Sequence, residues 1–295
     1  MKTFLYTLLP LFLFILPLAA QEEAPAKPDP VLGTYSYENL LTSPDAAWIS
    51  TGVESYSPRP ALLAEITPAL AEVDEVIIYY GSWCGDSKRE VPRLIKTLTA
   101  AGYDVNKLRF VGVTKAPDNY KKSPDGAADG KYIYRVPTFT FHRNGREVGR
   151  IVEQPKVSLE YDLHQLLTTD NYEPAYPVFT KLIELEEAGL LSDPNVSGNN
   201  LRMLFGPYVY GPGTLNGAGY VLMGEGRYDE ALKVMFANIR LFPDYANGYD
   251  SIAEVLAKQE RYKDAAAYQK RALRIQPEDE GYQKRYYDYL AAADQ

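Results

Sequence analysis

Cysteine occurs once in this chain of 295 residues, and histidine and tryptophan twice each. A single thiol cannot close a disulfide within its own chain. His142 and His164 belong to no ligand spacing such as His-Glu-X-X-His, so no zinc or haem site can be assembled and no metal or cofactor is expected. After the first 20 positions there is no apolar run of the roughly 20 residues that a membrane-spanning helix needs. Positive charge is also in deficit: 31 Lys and Arg stand against 39 Asp and Glu, a formal net charge of −8 without a basic cluster. Binding a phosphate backbone depends on clustered cations that displace counterions, so nucleic acid is not an expected partner. What is present, 46% hydrophobic and 24% charged residues, is ordinary for a globular protein, at a length that suits two domains.

The N-terminus reads as a targeting segment. Lys2, the apolar run 4–18 and the small pair Ala19-Ala20 form the basic start, apolar centre and small-residue exit of a cleavable signal peptide, residues 1–20. Pro10 and Pro17 interrupt the run, and no cysteine follows it to carry a lipid. The expectation is a periplasmic or secreted protein with no membrane anchor after cleavage. Residues 21–31, rich in Pro and charge, read as a flexible leader.

Residues 32–168 alternate short apolar runs with helical stretches. The run 76–80 (VIIYY) has the continuous apolar character of a strand buried on both faces. A helix is expected over 88–98, a strand over 108–113 and a polar loop over 114–131. Strands at 138–142 and 147–152 flank Asn144-Gly145, a strong hairpin signal, and a helix is expected over 157–167. Together these predict an α/β sandwich with a mixed sheet and flanking helices. Residues 169–211 read as a helical connector with one helix at 177–188.

From 212 to 295 the chain repeats itself at a period of 34: Arg227-Tyr228 returns as Arg261-Tyr262, Ala231 as Ala265 and the Pro243 corner as Pro277. Gly219 answers to Ala253, a place where two helices approach closely. This pattern resembles the tetratricopeptide repeat, a helical hairpin that buries its apolar face only by stacking on neighbours. Two repeats fall short of the about three usually needed. The helix at 279–292 is therefore expected to cap one end and the 177–188 helix to pack at the other. A repeat surface implies protein partners. Many of the 25 tyrosines fall in this region, where packing is the first role to expect of them.

Cys84 lies in Tyr80-Gly81-Ser82-Trp83-Cys84-Gly85-Asp86-Ser87-Lys88-Arg89-Glu90-Val91-Pro92, which leaves the buried strand and enters a helix. An odd thiol in an exported chain is either a buried bystander or a reactive group. At a helix start, unpaired N–H groups and the positive dipole end favour a thiolate. Lys88 and Arg89 add positive charge, while Asp86 opposes it. Pro92 predicts a kink or break. Asp86 and Glu90 share a helix face, an arrangement better matched to dipole compensation than to paired-carboxylate chemistry. The segment 125–130 faintly suggests a calcium loop but lacks the alternating acids and closing Glu, and is expected to be a flexible turn.

These residues resemble the active-site stretch of the thioredoxin family. Trp83, Cys84, Gly85 and Pro92 fall on its Trp-Cys-Gly-X-Cys motif and following helix proline. Arg135-Val136-Pro137-Thr138, followed by Asn144-Gly145, is similar to its cis-proline loop and terminal hairpin. The resemblance covers roughly 32–167 and implies a thioredoxin-like sandwich in which a cis Val136–Pro137 bond packs beside the cysteine. It implies a nucleophile at Cys84, shielding by Trp83, and a hydrogen bond from Ser87 to the sulfur. Gly85, Asp86, Val136, Pro137 and Thr138 would meet an extended client chain. Two departures matter. Ser87 replaces the resolving cysteine and cannot expel the first thiol from a mixed disulfide, and Ile78 replaces the family's buried acid. What survives is a thiol able to form a mixed disulfide and surrender it to an external thiol, as in exchange or isomerisation. Cys-Gly-X-Ser is also similar to monothiol glutaredoxins, but Trp83, the absent Gly-Gly-X-Asp glutathione signature and export argue against that likeness. The expected partners are exported client proteins, held by mixed disulfide and by the repeats. The alternative is a non-catalytic interaction scaffold in which the thiol is incidental.

Overall fold

The apolar run at 76–80 becomes the central strand of a five-stranded sheet. The structure, a computed structural model, describes residues 30–294, so the expected signal sequence and leader positions 21–29 lie outside the described residues. In chain order the first unit contains β1 (Gly33–Ser36), α1 (Tyr37–Leu40), α2 (Ala46–Ser55), α3 (Pro60–Ala71), β2 (Glu75–Tyr80), α4 (Gly85–Ala100), β3 (Leu108–Gly112), β4 (Thr138–Arg143), β5 (Arg146–Val152) and α5 (Leu159–Thr168). The sheet order is β1-β3-β2-β4-β5. β2 and β3 are parallel and the other pairings antiparallel, with Ile78 opposite both Phe110 and Phe139. Asn144 and Gly145 both take positive φ, 51° and 70°, the geometry that joins two twisted strands through two residues.

The pleat of β2 sorts its side chains into two cores. Val76, Ile78 and Tyr80 pack with Ile66, Leu94, Ile95, Leu98 and Leu163 of α3, α4 and α5. Ile77 and Tyr79 face the other way, into a smaller cluster with Val111, Val113, Ala128, Ile133 and Val136, against which Trp83 and Cys84 pack. Burial on both faces explains why the run is continuous rather than alternating. The loop between β3 and β4 covers this second face. It is a folded lid over the sheet, contains a 3-10 turn at Pro117–Asn119, and buries Ala128, Ile133, Tyr134 and Val136.

Two expectations are corrected here. Val31, assigned to the flexible leader, is 5% exposed; its carbonyl lies so close to β3 that a Cβ on Gly112 would come within 2.1 Å of it. Pro92 does not break α4, which runs on over 16 residues with the proline inside it. The pyrrolidine ring instead fills a notch at Gly52 of α2, where a Cβ would lie 2.5 Å from Pro92 Cγ.

The second part is helical: α6 (Pro177–Glu187), α7 (Gly198–Phe205), α8 (Pro212–Gly224), α9 (Tyr228–Leu241), α10 (Ala246–Lys258), α11 (Tyr262–Ile275) and α12 (Glu280–Ala293). The 34-residue period is written in the backbone. Arg227 and Arg261 precede α9 and α11 with φ/ψ of −88°/62° and −86°/59°. The corners before them take positive φ at Gly226 (76°) and Glu260 (60°). Phe242 and Gln276 end the two helices at −130°/72° and −130°/78°. A Cβ on Gly219 would meet Met235 Cγ and Cε at 2.6 Å, so α8 and α9 do approach closely there. α12 packs on α11 as a cap, with its N-terminus closed by Asp279, whose carboxylate accepts from Tyr282 N.

The stretch 169–211 is not a separate connector. Val178, Phe179 and Leu182 of α6 and Leu201 and Phe205 of α7 share one core with α8, α9 and α10. Tyr134 and Val152 of the first unit belong to that same core. Tyr134 Oη donates to Glu186 Oε1 at 2.8 Å, and Glu186 also accepts from both Nη atoms of Arg227. An apolar seam with a buried carboxylate at its margin thus binds the sheet unit to the helical stack.

Candidate functional site

Cys84 is the N-cap of α4, in extended conformation. Its N–H donates to Gly81 O at 2.8 Å and its carbonyl accepts from Lys88 N at 3.1 Å, which fixes the strand-to-helix turn. The side chain is partly exposed. Sγ donates to Val136 O at 3.3 Å, and the Val136–Pro137 bond that follows is cis. Two segments distant in sequence therefore meet at the sulfur: the start of α4 and the approach to β4.

Each neighbour has a definite task. Trp83 Nε1 donates to Val113 O at 2.9 Å, laying the indole across the turn so that a Cβ on Gly81 would come within 2.6 Å of the ring. Gly81 is thus a position where only a bare backbone fits. Thr138 is fully buried and its hydroxyl donates to Arg135 O at 2.7 Å. Pro137 O accepts from Glu153 N at 2.6 Å. Gly85 lies exposed at the helix start. Asp86, partly exposed, pairs with Arg89 at 2.7 Å.

Ser87 does not do what the resemblance implied. It is completely buried, and its Oγ accepts from Gly81 N at 3.2 Å. The bond closes the turn from beneath, while the sulfur finds its partner across the loop. Asp86 and Glu90 are joined through Arg89, which pairs with Asp86 at 2.7 Å and donates to Glu90 Oε1; Glu90 is 2% exposed and also accepts from Arg93.

Sequence inspection missed Tyr120 and Lys121, both in the stretch read as a polar loop. The Tyr120 ring lies 6.4 Å from that of Trp83 and 6.4 Å from that of Tyr220 of α8. Gly224 of α8 meets Tyr120 N so closely that a Cβ would lie 3.1 Å away. Lys258 of α10 pairs with Asp118 at 2.7 Å. The first helix of each repeat thus faces the loop beside the thiol. Lys121 is buried, and its Nζ donates to Tyr134 O at 2.5 Å. Loss of water lowers its pKa to about 7, with Arg135 as a second depressing influence and Glu153 and Cys84 acting in the opposite direction. Burial also raises the Tyr120 phenol. Arg135 pairs with Glu153 at 2.6 Å, and Glu153 accepts from Tyr176 Oη, whose pKa burial and that contact push up to about 12. No local sequence signal marks Lys121, because its position depends on how the loop folds back.

The remaining candidates engage neighbours of their own. His142 Nε2 contacts Thr140 Oγ1, and His164 lies 3.6 Å from Glu65. Asp125 is spent on a fixed turn: Oδ2 accepts from Thr34 N at 2.8 Å and Oδ1 from Ala127 N at 3.2 Å. Among the described residues no group of three or more His, Cys, Asp or Glu side chains is placed to hold a metal ion. No helix among them is long and apolar enough to cross a membrane. A cleft of about 940 Å³ lies between β5, the end of α5 and α6, and contains none of the residues around Cys84.

Residues 246–279 match the tetratricopeptide repeat family, a span that covers α10, the turn and α11. No curated protein matches the chain. The helical region thus carries a tetratricopeptide repeat, which supports a role in protein interaction.

Proposed function

We propose that residues 32–168 form a thioredoxin-like domain that engages thiols and disulfides of exported proteins through Cys84. The repeats hold the loop beside the thiol and offer their remaining surface to protein. The single observation that carries this is the placement of Cys84: a partly exposed sulfur at a helix N-terminus, 3.3 Å from the carbonyl before a cis proline. A mixed sheet with flanking helices is consistent with the family resemblance, and export rests on the sequence of residues 1–20 alone.

The chemistry follows from one thiol. The Cys84 thiolate attacks a client disulfide; one S–S bond forms between Sγ and a client sulfur, and the other client sulfur leaves as a thiolate and takes up a proton. A second thiolate, from the client or a small external thiol, then attacks the mixed disulfide and releases Cys84 as a thiolate. With a client thiolate the net result is isomerisation and no external oxidant or reductant is consumed. Ser87 cannot perform this step, being oxygen rather than sulfur and buried under the turn.

The loop from 134 to 137 gives a reason for client binding to follow sulfur chemistry. Its four carbonyls are all engaged, by Lys121, Thr138, Cys84 and Glu153 N in turn. Only the bond at Val136 O comes from a weak S–H donor. Once the sulfur is ionised or disulfide-bonded it no longer donates, and Val136 O is free to accept an N–H from an extended client.

The test is Ser87→Cys. If the turn holds its family geometry, the variant acquires dithiol-dependent disulfide reductase activity on a protein substrate such as insulin, and Ser87→Cys combined with Cys84→Ser lacks it. A folded but inactive Ser87→Cys protein contradicts the assignment. The second reading, a non-catalytic scaffold, draws on the buried Ser87 and the repeats. It expects Cys84 in the folded chain to react no faster than in the unfolded one.

A further inference from the structure

The tip of the loop between β3 and β4 is a unit of its own. Thr114 pins its base from both sides: its N–H donates to Lys122 O and its carbonyl accepts from Lys121 N, both at 2.9 Å. Between these bonds the chain makes one tight excursion through the 3-10 turn Pro117–Asn119, with Asn119 N donating to Ala116 O at 3.1 Å. The tip rests on the ends of α8 and α10, and it carries an acid, Asp118, two residues before an aromatic, Tyr120.

The surface that receives it is built into the repeats. Gly224 ends α8 and Lys258 ends α10, equivalent positions of the 34-residue period, and Tyr220 and Glu254 are equivalent about one turn earlier. Gly224 lets a backbone come close: a Cβ there would lie 3.1 Å from Tyr120 N and 3.6 Å from Pro117 O. The Tyr120 ring meets that of Tyr220 edge-on at 6.4 Å, and Lys258 Nζ pairs with Asp118 Oδ1 at 2.7 Å. Tyr220 does not need the tip to hold it in place. Its hydroxyl donates to Glu254 Oε2 at 2.8 Å and lies 3.1 Å from Ser251 Oγ, which accepts from Asn216 Nδ2 at 3.0 Å. Ser251 and Asn216 are buried, so the ring is oriented in advance by contacts within the repeats.

The grip on the tip is light. An ion pair whose acid is 76% exposed is weak, and one edge-on ring pair adds modestly to it. The firm joint between the two units lies elsewhere, in the core that Tyr134 and Val152 share with the helices and in the bond from Tyr134 to Glu186. The tip can leave the repeats without parting the units.

We propose that the ends of α8 and α10 form a peptide-binding site for partner segments that present an acid two residues before an aromatic in a turn, and that residues 116–120 fill this site in cis. Lys258 takes the acid, Tyr220 takes the ring and Gly224 admits the backbone. A bound partner displaces the tip and sets its own aromatic in the place of Tyr120, whose ring lies 6.4 Å from that of Trp83, next to the thiol. Binding involves no sulfur chemistry, so the site stands or falls apart from the reading of Cys84.

The experiment uses the full chain and a fluorescein-labelled, amide-ended peptide of residues 116–121, Ala-Pro-Asp-Asn-Tyr-Lys, titrated by fluorescence anisotropy. In Asp118→Ala/Tyr120→Ala the site is vacated and binds the peptide with a Kd on the order of 0.1 mM. In the parent the tethered tip competes at an effective concentration of about 1 mM, so the apparent affinity is about tenfold weaker. Adding Lys258→Glu to the vacated variant, or replacing the peptide's tyrosine with alanine, removes the binding. A folded Asp118→Ala/Tyr120→Ala protein that binds no better than the parent overturns the proposal, and so does binding that survives Lys258→Glu. If that variant does not fold, Asp118→Lys decides, since its side chain is exposed. It sets like charges against each other and binds the peptide a few-fold more tightly than the parent; equal affinity overturns the assignment. A vacated variant that sediments as a concentration-dependent dimer and has no affinity for the peptide overturns it in favour of a second copy as the occupant.

Discussion

Replacing Ser87 with alanine removes one oxygen from a completely buried site and separates two roles that sequence alone merges. The hydroxyl accepts from Gly81 N at 3.2 Å, and Gly81 is itself buried. The substitution loses a hydrogen bond and leaves a backbone donor without its acceptor, which together cost about 1–3 kcal/mol. Alanine returns roughly 0.5 kcal/mol through better helix propensity, so the expected net loss is about 0.5–2.5 kcal/mol. For a domain of this size that lowers the melting temperature by a few degrees, measurable by circular dichroism. Cys84 alkylation at neutral pH, measured on the same samples, stays within about twofold, because Sγ bonds to Val136 O and not to Ser87. An alkylation rate changed tenfold at an unaltered melting temperature would refute this reasoning and return Ser87 to the sulfur's coordination.

Other expectations are as direct. Gly112→Ala places a Cβ 2.1 Å from Val31 O; backbone cannot yield cheaply, so the urea midpoint falls by the equivalent of about 2 kcal/mol or more. Glu186→Ala removes the acceptor shared by Tyr134 and Arg227. Arg227 keeps contacts with Glu225 and Glu230, which limits the loss to about 2–3 kcal/mol, below that of a fully buried broken pair; limited proteolysis shows whether α6 loosens. Lys121 titrates at about 7 in the fold and near 10.4 when unfolded. Between those values the unfolded chain holds the extra proton, so stability from this group rises with pH from about 7 to 10. The melting temperature of Lys121→Met lacks that slope, and equal slopes in variant and parent contradict the burial argument.

The parts of the fold legible in the sequence were those governed by local pattern. A run such as 76–80 announces a doubly buried strand, Asn144-Gly145 announces its hairpin, and the period of 34 emerges because each hairpin must present the same faces to its neighbours. The positive-φ corners at Gly226 and Glu260 show why identity at that position is not needed: the corner demands a conformation, which glycine adopts freely and glutamate adopts under the pull of packing. The site was legible in part. Trp83, Cys84, Val136 and Pro137 converge because the strand-to-helix turn and the approach to β4 are set by adjacent strands of one sheet. Ser87 was misread since a residue three positions along a helix from a sulfur can serve the sulfur or the turn, and only burial distinguishes them. Tyr120 and Lys121 lay hidden in a segment whose polar composition suggested solvent. Its inward course is imposed by the uncovered face of β2 and by α8 and α10 pressing from outside, and neither is a local property. In residues 169–211 the packing of α6 against the repeats was expected from their need for a further neighbour, whereas α7, which shares that core, was not foreseen.

The central claim is that the fold makes Cys84 a better nucleophile than the same residue in a disordered chain. The most direct measurement is its second-order rate constant with 4,4′-dithiodipyridine at neutral pH, taken on the native protein and on the urea-unfolded chain. The account predicts that the native thiol reacts faster by about tenfold or more. A native thiol that reacts at the unfolded rate or more slowly would contradict it.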